Sequence, residues 1–310
     1  MKANYRSLFI KGIVFFVLFV ITDFLIGKIF RALEYKALDR CPYGMVTEYT
    51  MWKVDSDVVI IGASDATHSY IPSILEEGLG VSVYNCGNDG CRFYYQNAMV
   101  RGILERYRPK MIVWSISPTE LSHQRDGQDN GLSRLNVFCR DNSFCRQVLR
   151  TKSKYEPIKL LSSSYIYNSC LFNYLYNIFV ANYQYDKGYA PLYGMTNRNA
   201  DFGDERLIDE YDSAIGQIFI ETIEQCLQKN VKLCFIFTPR FKIQDYKSME
   251  SYLKLKAIVN EYHIPLIEKY YHFDDLMKAE CFKDNSHLNH QGATLYGKLL
   301  VDELKPLIGQ

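Results

Sequence analysis

The sequence predicts an α/β protein, a three-layer, flavodoxin-like sandwich of about five parallel strands. Three observations predict it. Short apolar runs rich in branched residues recur at 58–61, 81–84, 111–117, 231–238 and 264–267. A run without polar alternation suits a strand covered on both faces. Segments of helical period lie among them, at 71–78, 92–107, 206–229 and 248–262, and a last one follows at 291–307. Strand, helix and strand in repetition give right-handed crossovers and a parallel sheet with helices on both faces. Finally, the runs stop at Gly62, at the Gly87 to Gly90 loop, at Pro118 and at Pro239. Those stops mark the carboxyl ends of the strands, where open α/β sheets hold ligands.

Ahead of the first strand, Lys2, Arg6 and Lys11 precede the run Gly12-Ile13-Val14-Phe15-Phe16-Val17-Leu18-Phe19-Val20-Ile21-Thr22. Asp23 interrupts it, and Phe24-Leu25-Ile26-Gly27 continues it to Lys28. Residues 8–30 are long enough for a membrane span, and the basic N-terminal flank places that end in the cytoplasm. The stretch from Ile26 to Ala32 makes a poor cleavage site for a secretory signal. The expectation is a single-pass anchor in the cell membrane, with the N-terminus cytoplasmic and the main domain extracytoplasmic. A buried core helix in a soluble intracellular protein is the alternative. The expected division is residues 1–30 as tail and anchor, 31–54 as linker and 55–310 as the α/β domain. From about 123 to 215 the strand–helix rhythm breaks, and 133–150 and 162–183 read as helices. This stretch is expected to be an insertion that caps the carboxyl edge of the sheet and supplies a substrate wall.

Composition narrows the chemistry. Net charge is +1 over 310 residues, so no global field points to nucleic acid or to an acidic polymer. The 25 tyrosines suit packing first and sugar-ring platforms second. Nine cysteines show no metal-ligand spacing, and their odd number leaves at least one thiol unpaired within a monomer. No phosphate-binding glycine loop, H-E-x-x-H or C-x-x-C occurs, so no cofactor and no metal are expected.

Two short stretches carry the chemistry. In Gly62-Ala63-Ser64 a hydroxyl stands just past the first strand. More than 200 residues later, Asp284-Asn285-Ser286-His287 precedes the last helix. Asp-x-x-His lets one turn aim an imidazole while the carboxylate orients it, so Ser64, His287 and Asp284 form a candidate nucleophile, base and orienter. His68, four residues after Ser64, is read as a substrate-side or structural residue, and His290 as facing solvent. His123, His263 and His272 have no partners that the sequence can name.

Gly62-Ala63-Ser64 resembles the nucleophile block of the SGNH (GDSL-type) hydrolases, and Asp284-Asn285-Ser286-His287-Leu288-Asn289 resembles their terminal block. Asn85-Cys86-Gly87-Asn88-Asp89-Gly90 is similar to the block whose glycine donates an N–H to the oxyanion. The resemblance covers residues 55–122 and 225–306. With a membrane segment in front, the chain looks most like the anchored branch that modifies cell-envelope polymers, including D-alanyl-lipoteichoic-acid transfer and polysaccharide O-acetylation proteins. It implies a serine esterase or acyltransferase working through an acyl-Ser64 intermediate on acetyl-type esters of envelope polysaccharide. Its partners would be an acylated glycan or acyl donor and a membrane-bound acyltransferase. For the oxyanion it implies the N–H groups of Ser64 and Gly90. The family's asparagine after the third strand is replaced here by Ser117-Pro118-Thr119-Glu120. Asn88, Ser117 or Thr119 then substitutes, or the hole has two donors. The alternative function is a catalytically inactive module that binds glycan or scaffolds a membrane acyltransferase.

Overall fold

The computed structural model describes residues 5–122, 131–168, 170–183, 185–195, 209–241, 245–268 and 275–309. The chain forms two compact units: Met1–Met45 with Ser133–Tyr183, and Val46–Leu132 with Gln184–Gln310.

The second unit is the α/β sandwich. Strands β1 (Val58–Ile61), β2 (Val83–Asn85), β3 (Met111–Ser115), β4 (Lys232–Ile236) and β5 (Leu266–Ile267) pair in parallel in the order β2-β1-β3-β4-β5. Val58 stands opposite both Val83 and Met111, and Trp114 opposite Phe235. All four residues of β1 are buried, as an unalternating apolar run requires. Along the strands the pleat sorts side chains by parity. Val58, Ile60, Met111, Val113, Cys234 and Ile236 join Tyr70, Leu75, Tyr296 and Leu300 in one core. Trp114 and Phe235 point the other way and meet Phe219 at ring-centroid distances of 5.9 and 5.0 Å. The chain winds outward in both directions from β1 and β3, which makes the gap above these two strands the switch point where ligands bind.

Helix boundaries follow local chemistry. Pro72 opens helix Pro72–Leu79, and Gly80 closes it in the left-handed conformation at φ 71°. Asn289 caps the last helix, His290–Ile308, by accepting from the Gly292 N–H. A short helix, Ser64–Ser69, follows β1 directly; the sequence analysis had no helix there. The helix expected from residue 206 is Ser213–Gln228, and residues 206–208 lie outside the described residues.

In the first unit one helix runs from Tyr5 to Arg40, ten residues past the boundary expected at residue 30. Its N-terminal half is apolar, and none of it is buried. The two long helices expected in the insertion are broken into Leu132–Phe138, Ser143–Leu149, Glu156–Lys159, Ser163–Ile166 and Cys170–Phe179. Asn142 and Ser162 restart the chain as caps, accepting from the N–H groups of Cys145 and Tyr165. Helix Cys170–Phe179 packs against the N-terminal helix, where Tyr174 donates to Glu34 at 3.3 Å.

Asp212 is the cap of helix Ser213–Gln228, accepting from Ala214 and Ile215 at 2.8 and 3.3 Å. Asp212→Ala should destabilise the second unit by about 1 kcal/mol, and Asp212→Gly by only a few tenths. The check is a shift in the urea midpoint with an unchanged slope.

Candidate active site

The nucleophile position is built by β1 and by one close approach. A Cβ on Gly62 would lie 2.6 Å from the Ala66 Cβ and 2.9 Å from the Ser115 Cβ. Only glycine lets the chain turn here from strand into helix. Ser64 is therefore the first residue of Ser64–Ser69, half-buried at the carboxyl end of β1.

Three residues come together as the sequence analysis expects. Ser64 Oγ lies 2.7 Å from His287 Nε2 although 223 residues separate them. His287 Nδ1 lies 2.9 and 3.0 Å from the two Asp284 oxygens. Nδ1–H can only donate to a carboxylate, so Nε2 is left bare toward the Ser64 hydroxyl. Asp284 Oδ1 also accepts from the N–H groups of Ser286 and His287, at 2.8 and 2.9 Å, which closes the Asp-x-x-His turn upon itself. Burial alone would raise the Asp284 pKa. The hydrogen bonds from His287 and Ser286 outweigh burial and hold the carboxyl below its ordinary value.

A cavity of about 120 Å³ opens beside Ser64 and His287. Its size admits a small acyl group. Gly90, in the left-handed conformation at φ 71°, lines it with Ser64. The first N–H groups of a helix have no intrahelical partner, so the Ser64 N–H and a glycine N–H both suit a developing oxyanion.

The other candidates for a third donor fare differently. Asn88 is turned away: its amide donates to Tyr95 Oη at 2.8 Å and to Thr47 Oγ1 at 3.4 Å in the buried layer beneath the loop. This corrects the expectation that the Asn88 side chain substitutes for the missing asparagine. Thr119 is fully buried, and Ser117 alone of the remaining pair lines the cavity.

Sequence reasoning missed Arg92, Gln96, Glu120 and Arg240, which line the cavity along with Ala63, Asp65, Ser115 and Ser286. Burial pushes the Glu120 carboxyl up, against the pull of the Ser117 N–H and of Arg92 and Arg240. The available signal was position: Arg92 follows the glycine loop, and Arg240 follows the Pro239 stop of β4. The described residues that line the cavity stand at the strand ends, on the helices after β1 and β2 and in the Asp284 turn.

His68 is buried, with Nδ1 2.7 Å from the Ala190 carbonyl and Nε2 3.2 Å from Asp89 Oδ2. Both partners accept, so holding both takes a doubly protonated ring. Its ring stands edge-on to His287, centroids 5.7 Å apart. Burial lowers the His68 pKa, but the bonds to Asp89 and Ala190 more than reverse this and leave it raised. For Asp89 burial raises, His68 lowers more, and the net direction is down. His290 is exposed as expected, and its Nδ1 meets the Tyr189 hydroxyl at 2.9 Å. His263 sits in a left-handed turn at φ 52°. His123 and His272 lie outside the described residues. No disulfide joins any of the nine cysteines, and no group of three potential metal ligands converges among the described residues.

No protein-family model matches the chain, and no curated protein matches it. Among solved structures it is similar to the psychrotrophic esterase EstA from Pseudoalteromonas sp., at 10% identity and a TM-score of 0.44, covering 82% of this chain and 98% of that one. It is also similar to a lipase/acylhydrolase from Enterococcus faecalis, at 12% identity and a TM-score of 0.40, covering 81% and 95%.

The His68 clamp has a pH signature. A raised histidine contributes stability that is complete below its unfolded value of about 6.5 and is lost as pH rises through the folded value. A depressed Asp89 contributes stability above about pH 3.9 that is lost as pH falls through its lowered value. His68→Gln should therefore lower the Tm most between about pH 4 and 6.5, with the deficit shrinking at higher pH. Thermal unfolding of both proteins from acid to alkaline pH measures it. A deficit that does not vary with pH would contradict the doubly protonated ring.

Proposed function

We propose that the protein is a membrane-anchored serine esterase or acyltransferase that acts on small, acetyl-type acyl esters of cell-envelope polysaccharide. The observation that carries the reading is the hydrogen-bonded line Ser64–His287–Asp284 at the switch point of the sheet. In this reading His287 Nε2 takes the Ser64 proton as Oγ attacks the ester carbonyl. Asp284 holds Nδ1–H and balances the imidazolium. The oxyanion lies against the N–H groups of Ser64 and Gly90. His287 returns the proton to the departing alkoxide, and acyl-Ser64 remains. Water or a sugar hydroxyl, deprotonated by the same imidazole, then takes the acyl group and restores Ser64.

The small cavity supports an acetyl-type group. The envelope polymer and the anchor rest on the sequence resemblance and on the exposed apolar N-terminal helix. Because the Asn88 amide is committed elsewhere, a two-donor hole gives the inactive binding module its one specific argument.

Three variants separate the two readings. Ser64→Ala should abolish labelling by a fluorophosphonate probe and lower acyl transfer by about 10⁴-fold or more, with the fold intact. His287→Ala should be nearly as severe, and the double variant no worse than either single one, since nucleophile and base act as a unit. Asp284→Asn should be comparable or milder. Wild-type glycan modification in cells by all three variants would establish a binding or scaffolding role instead.

The anchor is tested apart from the chemistry. A reporter fused after Gln310 should be active only in the form that requires export, because Lys2, Arg6 and Lys11 hold the other end in the cytoplasm. Activity confined to a cytoplasmic reporter would overturn the orientation.

A further inference from the structure

The first unit carries a second cavity, of about 210 Å³. Phe24, Gly27, Lys28 and Arg31 line it from the N-terminal helix, spaced as one helical face. Arg140, Asp141 and Ser163 close it from the insertion. Gly27 makes the closure possible: a Cβ there would lie 2.5 Å from Ser163 Oγ.

The depth of this cavity follows from helix length. A hydrocarbon core takes about 20 helical residues, so a span entered at Leu8 is left near Gly27. Lys28 and Arg31 then stand at the boundary where lipid phosphates lie. Asp23, about one turn deeper, would be a costly charge in hydrocarbon. It is bound instead by Ser162 Oγ at 2.7 Å and by the N–H groups of Ser163 and Ser164 at 2.7 and 2.9 Å. The turn that satisfies Asp23 must reach the same depth, and its neighbours fit that place, since Ile158 and Leu161 are exposed apolar side chains.

Three cations face one carboxylate in the cavity. Arg31 bonds Asp141 at 3.2 Å and, outside the lining, Glu34 at 3.3 Å. Arg140 donates to the Leu161 carbonyl and Ser163 Oγ at 3.2 and 3.3 Å. Lys28 holds its ammonium 5.3 Å from the centre of the Phe24 ring, a contact that leaves its donors open to an anion. A cluster of cations at the boundary of a span attracts an anionic head group by charge on either face of the bilayer.

We propose that this cavity binds the phosphate of an anionic membrane phospholipid, with an acyl chain running down the helix past Phe24. The inference rests on the N-terminal helix being a membrane span. The reporter fusion tests the span and the experiment below tests the cavity, so the two fail separately.

The full-length chain in a neutral maltoside detergent is titrated with short-chain phosphatidylglycerol, with phosphatidylcholine of the same chains, and with inorganic phosphate. Saturable binding of one phosphatidylglycerol is expected, tighter than either other probe. Lys28→Glu should weaken it by about tenfold or more, and Lys28→Arg should restore it. Lys28→Gln, which adds no negative charge, should weaken it less and serves if the glutamate variant does not fold. Equal affinity for phosphatidylcholine would overturn the proposal, and so would inorganic phosphate binding as tightly as the lipid. Binding indifferent to every Lys28 substitution, or no saturable binding, would do the same.

Discussion

A single directed chain of hydrogen bonds ties the nucleophile loop to the rest of the sandwich. Ser115 Oγ donates to Asp65 Oδ2 at 3.1 Å, lies 2.7 Å from Thr238 Oγ1, and Thr238 lies 2.7 Å from Tyr70 Oη. Tyr296 Oη donates to Tyr70 at 3.2 Å. Each hydroxyl has one proton. With the Ser115 proton spent on Asp65, Thr238 must donate to Ser115, Tyr70 to Thr238 and Tyr296 to Tyr70. All five side chains are buried, where an unpaired polar group is costly. The chain has one sense only, and it ends on the carboxylate next to Ser64. It also joins the ends of β3 and β4 to the helix that follows His287, so the elements that carry nucleophile and base share one network.

This explains which parts of the site were legible. β1 reads as buried because four apolar residues run together, and the hydroxyl after it is local. The Asp284 turn is local too, its carboxylate satisfied within three residues by Ser286 and His287. What joins these pieces across 223 residues is the parallel sheet, and repeated crossovers predict that both stand at its carboxyl edge without any contact being known. Site geometry was therefore readable wherever it followed from short-range chemistry plus topology.

The failures have the opposite character. Asn88 looked available because its partners, Tyr95 and Thr47, are set by how the helix after β2 packs, and no local pattern records that. His68 was read as substrate-side or structural, and the partner that fixes it, the Ala190 carbonyl 122 residues further on, was not legible. In the insertion, the caps Asn142 and Ser162 were visible as residue types. Asn142 interrupts the helix expected at 133–150, whereas Ser162 stands where the second one was expected to begin. Asp23 was the awkward residue of the apolar run, and its solution lay in the Ser162 turn, about 140 residues away in sequence.

The arrangement of charge around Ser64 adds a last constraint. On the proposed reading, the reaction moves one proton from Ser64 to His287 and creates one oxyanion. Asp284 answers the new imidazolium directly. His68 and Asp89 already neutralise each other, so the pair holds its loops in place while adding little net field at His287. Arg92 and Arg240 line the cavity together with the carboxylates of Asp65 and Glu120. Burial raises the Glu120 pKa, which weakens its opposition to the two arginines. On the same reading, the two arginines give a hole of two backbone donors a second means of favouring negative charge, supplied by side chains at the strand ends rather than by an asparagine after β3.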